Sequence, residues 1–397
     1  DTKIFEFDVN FNDGDYFTIA FDSHNGPGWV RKPTLTTWFK ASHKFQNNSW
    51  QSDTIYKTDA TNTTGTAPQL SNNVINFEPQ IKFTGQDKLN THDLKTNWFI
   101  NVPTLNSGKI EGSIFVVYNA WKSDAWLILR QAKRNELLNV RLWSSLVASK
   151  FRDWAVEDII PARNKPSIMW LVMKNNWDIW EVKTYLDWQL KKTSNLYSKY
   201  IYEQEAPLVI GQWYIGDIAE IISYSVPVTT NEQESIESYL ACKYGISLRN
   251  ENGNRNYINS RWQTIWSTTD NAWYDNNVGC IHRDDIAGLK KEMAQSQESE
   301  KGNIIVNTAL NSDLLSLTWS DNGWNLWEWI YGKVDGEKKT SAKIIRFSEK
   351  NGDTGDVTIK IKKSDLPYFR WSLQLLLKNG DNNFKNGAQS YNATDDG

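Results

Sequence analysis

Residues 216–248 read Gly216-Asp-Ile-Ala-Glu220-Ile-Ile-Ser-Tyr-Ser-Val-Pro-Val-Thr-Thr230-Asn-Glu-Gln-Glu-Ser-Ile-Glu-Ser-Tyr-Leu240-Ala-Cys-Lys-Tyr-Gly245-Ile-Ser-Leu248, and this stretch decides the fold. Its first part is a short apolar β-type run. After Pro227 the period changes: Ile236, Tyr239, Leu240 and Tyr244 recur at spacings of three and four, as an amphipathic helix requires. Thr229-x-x-Glu232 or Thr230-x-x-Gln233 supplies a capping box. Gly245 stands where a left-handed cap belongs, with Lys243 in the last turn. The pattern predicts a helix over 230–244 that docks Ile236, Tyr239 and Leu240 on a β-structure.

Working outward, the rest of the chain reads as strands. Runs such as 114–118, 168–172, 182–186 and 357–361 are rich in Val, Ile and Tyr and end in Asn/Asp/Gly turns. From Leu35 to Leu248 many short strands lie at close spacing, with polar loops such as 45–73, a pattern for a two-sheet sandwich. From about Asn250 a second β-unit begins, with strands at 304–306, 314–318, 344–347, 357–361 and 373–377 and an exposed loop at 290–302. Residues 1–21 read as a strand pair turning at Asn12-Asp13-Gly14-Asp15, and the Gly/Pro-rich 22–33 as a linker.

Composition narrows the function. The 397 residues carry 44 basic and 47 acidic side chains, without the concentrated basic face of a nucleic-acid binder. No apolar run is long enough to span a membrane. Four scattered histidines and two cysteines, Cys242 and Cys280, offer no zinc-site spacing. Cys242, near the end of the predicted helix, reads as a packed free thiol.

The 216–248 stretch resembles the closing strand and helix of concanavalin A-like (laminin G-like) jelly-rolls in large surface adhesins of Bacteroidota. Pro27-Gly28-Trp29-Val30, Thr37-Trp38-Phe39-Lys40-Ala41 and Ile75-Asn76-Phe77-Glu78-Pro79 are similar to that domain's opening. His282-Arg283-Asp284-Asp285, Leu317 to Gly323 and Gly352 to Val357 are similar to the β-domain that follows it. The resemblance implies an all-β chain: a jelly-roll with one C-terminal helix at 23–248, then a β-sandwich at 249–397. It implies export to the cell surface, often by the type IX route, and a role in attachment or gliding. In that family the C-terminal domain ends in strands much like residues 1–21. Residues 1–22 are therefore expected to belong to a preceding copy, making the chain one period of a tandem array with neighbouring repeats as partners.

Tryptophan departs from the pattern. There are 21, against 22 glycines. Trp188, after Asp187 in a hairpin, stands where Asn-Gly or Asp-Gly belongs, and a bulky residue at positive φ is an outlier. Trp29 and Trp324 raise the same question, and the expectation is that some of these positions do not carry tryptophan in the protein.

Three functional readings follow. The first is a non-catalytic adhesin repeat that spaces and presents binding loops. The second is a lectin module, with Trp121, Trp126 and Trp143 as the sugar platform, although aromatics pack cores equally well. The third and weakest is a polysaccharide-degrading enzyme. Against it, no Glu-x-Asp-x-x-Glu motif occurs, and Asp284-Asp285 beside Arg283 fits turn and ion-pair contacts better than a catalytic pair. No cofactor is required. Calcium would take oxygens from Asp13 and Asp15 or from Asp381 and Asn383, although turn chemistry explains those residues without a metal.

Overall fold

The computed structural model describes residues 26–30, 34–43, 45–46, 48–54, 59–62, 66–91, 112–121, 127–132, 139–143, 146–151, 154–159, 165–176, 179–197, 208–250, 252–298, 303–326, 329–330, 340–366, 374–380, 382, 384 and 387–394. The expected strand pair at 1–21 lies outside them.

Among the described residues the chain is all-β with one α-helix. Strand Ile215–Tyr224 is central because both of its faces are apolar and both become buried. Gly112–Ala120 pairs along one side of it, continuing through Ser167–Asn176, Ile179–Leu186 and Gln189–Tyr197. On its other side Glu78–Thr84 takes the first half and Leu35–Lys40 the second. A second sheet, running from Asn139–Trp143 to Phe45–Gln46, covers one face. Alternation along Gly112–Ala120 builds this sandwich: Ile114, Val116 and Tyr118 enter the core between the sheets with Phe83, Leu129 and Ile218. The stretch 45–73 is thus more than a polar loop. It supplies short strands at 45–46, 49–50 and 60–61, with Trp50 and Ala60 fully buried.

The alternate residues Phe115 and Val117 point to the opposite face, where the helix Thr230–Tyr244 docks. Its bounds match the sequence reading, and Ile236, Tyr239 and Leu240 are buried as expected. Thr229 is the N-cap that is used: its hydroxyl accepts from Glu232 N–H while the Glu232 carboxylate accepts from Thr229 N–H. Gly245 closes the other end at φ 66. Of the expected linker 22–33, residues 26–30 instead form a short turn tucked against the helix. A side chain on Gly28 would strike the backbone of Ser235.

Downstream, Leu289–Lys291, Asn276–Asp284, Ser316–Asp321 and Ile345–Lys350 form one sheet of a smaller sandwich. Met293–Ala294, Ile304–Asn307 and Thr358–Ile361 form the other. Ile281, Val306, Leu317 and Trp319 fill the space between them. The expected exposed loop at 290–302 is corrected by this sheet. Lys291, Ala294 and Ser296 are buried, because the segment pairs with Asn276–Asp284 and then with Ile304–Asn307, and Lys291 and Gln295 contact the jelly-roll. One hydrophobic cluster runs from Trp38 and Phe115 through the helix to Tyr257, Trp266, Val278 and Leu289, across the 248/249 position.

Candidate functional site

The densest chemistry lies in the seam between the helix, the jelly-roll and the second sandwich. Glu220 sits beside a register shift in the central strand and is fully buried. Its Oε1 accepts from Trp38 Nε1 (2.6 Å) and Tyr239 hydroxyl (3.0 Å). Its Oε2 accepts from Lys243 Nζ (2.7 Å) and Tyr244 hydroxyl (2.7 Å). Burial, reinforced by this carboxylate, raises both tyrosine hydroxyls well above their ordinary range, so they act as donors. In sequence Glu220 looks isolated; three of its four partners come from one face of the helix.

A second cluster joins the hairpin turn at Asn76-Phe77 to residues more than 160 positions away. Asn76 Nδ2 donates to Lys243 O (2.9 Å), and Asn76 Oδ1 accepts from Gln295 N–H (2.6 Å). Lys291 Nζ reaches Asn76 O and Glu78 Oε1, the latter at 2.8 Å. Burial lowers the Lys291 pKa, partly opposed by Glu78. The free-thiol reading of Cys242 is corrected here: Cys242 is bonded to Cys280 of strand Asn276–Asp284, with Cα atoms 5.0 Å apart. A helix face and a strand 38 residues later are brought together by packing, which no spacing rule reveals.

Ser260, His282 and Asp284 also meet, around a cavity of about 10 Å³ that has room for roughly one water molecule. His282 Nδ1 contacts Leu315 O at 3.0 Å, while its Nε2 lies 3.6 Å from Asp284 Oδ2. Asp284 accepts from the backbone of Ser260 (2.7 Å) and Ala287 (3.1 Å). Burial works to raise its pKa, but the adjacent His282 ring and the Ser260 backbone hydrogen bond outweigh that and lower it. Asp284 thereby pins the loop at Ser260 to strand Asn276–Asp284. Asp285 forms a two-pronged exposed ion pair with Arg283, as the sequence reading expects.

Of the expected sugar platform, Trp121 is half-exposed at the end of strand Gly112–Ala120. Its Nε1 donates to Asp217 Oδ2 at 2.6 Å, and Lys82 Nζ lies 4.6 Å from its ring centre. Asp217 pairs in register with Lys82 on one neighbouring strand and Asn119 on the other. Burial pushes its carboxyl up to about 6, against the opposing pull of Trp121 and Lys82. Asp217 Oδ1 and Asn119 Oδ1 are buried without a hydrogen-bond partner among the described residues. Trp126 lies outside the described residues, and of Trp143 only the backbone, ending strand Asn139–Trp143, is described. Trp121 is therefore not joined to either in a described platform. The calcium candidates Asp13, Asp15, Asp381 and Asn383 also lie outside the described residues. Among those described, no three His, Cys, Asp or Glu side chains are grouped to hold a metal ion. No described helix is long and apolar enough to cross a membrane.

Comparison with known proteins adds the following. A family model described as a domain of unknown function (DUF8202) matches residues 232–397, from within the helix to the last residue. No curated protein matches the chain. Domain 4 of AbnA, a GH43 extracellular arabinanase from Geobacillus stearothermophilus in complex with arabinotriose, is similar at TM-score 0.39 and 14% identity. That similarity covers 51% of this chain and 97% of that one. The receptor binding domain of a botulinum neurotoxin C/D mosaic serotype is similar at TM-score 0.39 and 11% identity, covering 75% of each chain. A heptameric SAP-like pentraxin from Limulus polyphemus is similar at TM-score 0.28 and 10% identity, covering 47% of this chain and 91% of that one.

Proposed function

We propose that the chain is a non-catalytic, extracellular adhesin segment, one period of a surface array used in attachment or gliding. In this reading a jelly-roll and a sandwich are locked together, and the loops at their ends do the binding. The observation that carries the reading is the Cys242–Cys280 bond between the helix and the second sandwich. Disulfides persist in oxidising compartments, and this one covalently ties the two units. The Asn76 cluster reinforces the same joint with buried polar contacts to Gln295 and Lys291, while Glu220 ties the helix to the main sheet. The test uses cells that carry the gene. External protease should remove the chain from intact cells, and its cysteines should resist thiol reagents until reduced. Two free thiols, or full protection from the protease, would sink the proposal.

A second reading, glycan binding, is favoured by the Trp121 corner, where a half-exposed indole adjoins the Asp217 carboxylate and a lysine. Sugars are held by that combination of a ring face and polar groups. A glycan array of the wild type against Asp217→Asn and Trp121→Ala decides it. Signals that both variants abolish support this reading, and signals unchanged in both exclude this corner.

A further inference from the structure

Among the described residues five tryptophans occupy the left-handed region of backbone space: Trp29 (φ 63), Trp188 (φ 70), Trp213 (φ 61), Trp262 (φ 62) and Trp273 (φ 72). Left-handed conformations bring Cβ against the following carbonyl, so they belong to glycine and, less often, asparagine. Here tryptophan appears there as often as asparagine, which does so at 48, 73, 76, 277 and 351.

Each of the five sits in a tight turn of a kind that calls for glycine. Asp187 and Trp188 are the two loop residues of a hairpin whose flanking pair is Leu186 and Gln189. Both have positive φ (44 and 70), the type I′ geometry for which Asp-Gly is the preferred sequence. Trp213 and Trp273 are third residues of turns closed by Tyr214 N–H on Gly211 O (3.1 Å) and Tyr274 N–H on Asn271 O (2.8 Å). A positive φ at that position is a glycine requirement. Trp29 and Trp262 are fourth residues of turns closed on Gly26 O and Asn259 O, both at 3.0 Å. Trp262 is also the last of three loop residues between Asn259 and Gln263, joined by Asn259 N–H on Gln263 O at 3.0 Å, the place where a three-residue hairpin takes a left-handed glycine.

Their side chains do little in return. Trp29, Trp213, Trp262 and Trp273 are exposed, Trp273 at 88%. The Trp188 indole is buried, but its N–H has no partner among the described residues. Three tryptophans in strands behave differently. Trp38, Trp50 and Trp266 have ordinary φ, are almost fully buried, and donate to Glu220, Lys40 O and Ser320. Trp324 belongs with neither group and corrects the sequence expectation: Gly323 before it takes the positive φ (78).

We infer that residues 29, 188, 213, 262 and 273 are glycine in the protein as its own cell makes it, encoded by UGA. Beyond its use as a stop, that codon specifies tryptophan in some genetic codes and glycine in others. A gene of the second kind read by the first rule places tryptophan at sites built for glycine. The near-equal numbers of Trp and Gly, 21 and 22, fit such a reading. One consequence is functional: the exposed rings at 29, 213, 262 and 273 are then bare turns, not sugar platforms.

The test is peptide mass spectrometry of the chain from the cells that carry the gene, with the codons read alongside. Glycine is expected at the five turn positions, each encoded by UGA. Tryptophan encoded by UGG is expected at 38, 50 and 266. Tryptophan in a native peptide at any of the four exposed turn positions, or a UGG codon there, overturns the inference. The Cys242–Cys280 test is independent, so either proposal can fail alone.

Discussion

Lys243 Nζ lies 2.7 Å from Glu220 Oε2, and both side chains are almost completely removed from solvent. The pair joins the last turn of the helix to the centre of the main sheet. A carboxylate accepting four hydrogen bonds can remain in an apolar setting only while its donors stay in place. Lys243→Met keeps the volume but leaves Glu220 without its cation. The variant should lose about 3–5 kcal/mol in denaturant unfolding. A loss under 1 kcal/mol would mean that the helix does not depend on this pair.

The disulfide closes a loop of 38 residues. In the chain-entropy account a loop of that length is worth about 4 kcal/mol. The double variant Cys242→Ser/Cys280→Ser should unfold at correspondingly lower denaturant. Reduction of the wild type should give a similar drop. If reduction left the unfolding midpoint unchanged, the bond would not be part of the joint.

Glu237 is buried on the helix, with Arg255 Nη1 at 2.6 Å and Gln233 Nε2 at 2.7 Å. Burial pushes its pKa from 4.5 up to about 7, although Arg255 opposes the rise. The native carboxyl therefore binds a proton more tightly than the unfolded one. Stability from this group is full below about pH 4.5 and is lost as the pH rises towards 7. Unfolding free energy should fall between pH 5 and 7, by on the order of 1 kcal/mol for each pH unit over which the two states differ. The slope should shrink in Glu237→Gln. An unchanged slope in that variant would assign the effect to another carboxyl.

Gly245 has φ 66, and a methyl group there would collide with the carbonyl of Gln295. Gly245→Ala should therefore cost more than the roughly 1 kcal/mol expected for removing the opposite cap with Thr229→Ala. Thermal unfolding of the two variants ranks them. Equal losses would show that Gln295 yields freely and that the seam is soft at this point.

The helix was legible residue by residue because its signals are local. A cap, a 3.6-residue period and a left-handed glycine all lie within seventeen positions of chain, Thr229 to Gly245. The turn at Asp187-Trp188 was legible for the same reason, since two-residue hairpins have a fixed backbone demand. Alternation likewise assigned Ile168 to Val172 and Val182 to Leu186 to strands, and the structure extends both.

Alternation specifies which residues share a face of a strand but not which strands are neighbours, and that gap accounts for what could not be read. Glu220 meets Lys243 because the helix folds back over the strand that precedes it. Asn76 meets Lys291 across 215 positions because the second sandwich packs on a hairpin at the far edge of the jelly-roll. Cys242 meets Cys280, and Ser260 meets His282 and Asp284, only once that packing exists. By itself the sequence determined the helix, the glycine that ends it and the turn at Asp187-Trp188, all set by interactions within a few residues. The tertiary structure alone decided the partners in the seam, since strand order and burial bring distant polar groups together and then hold them there.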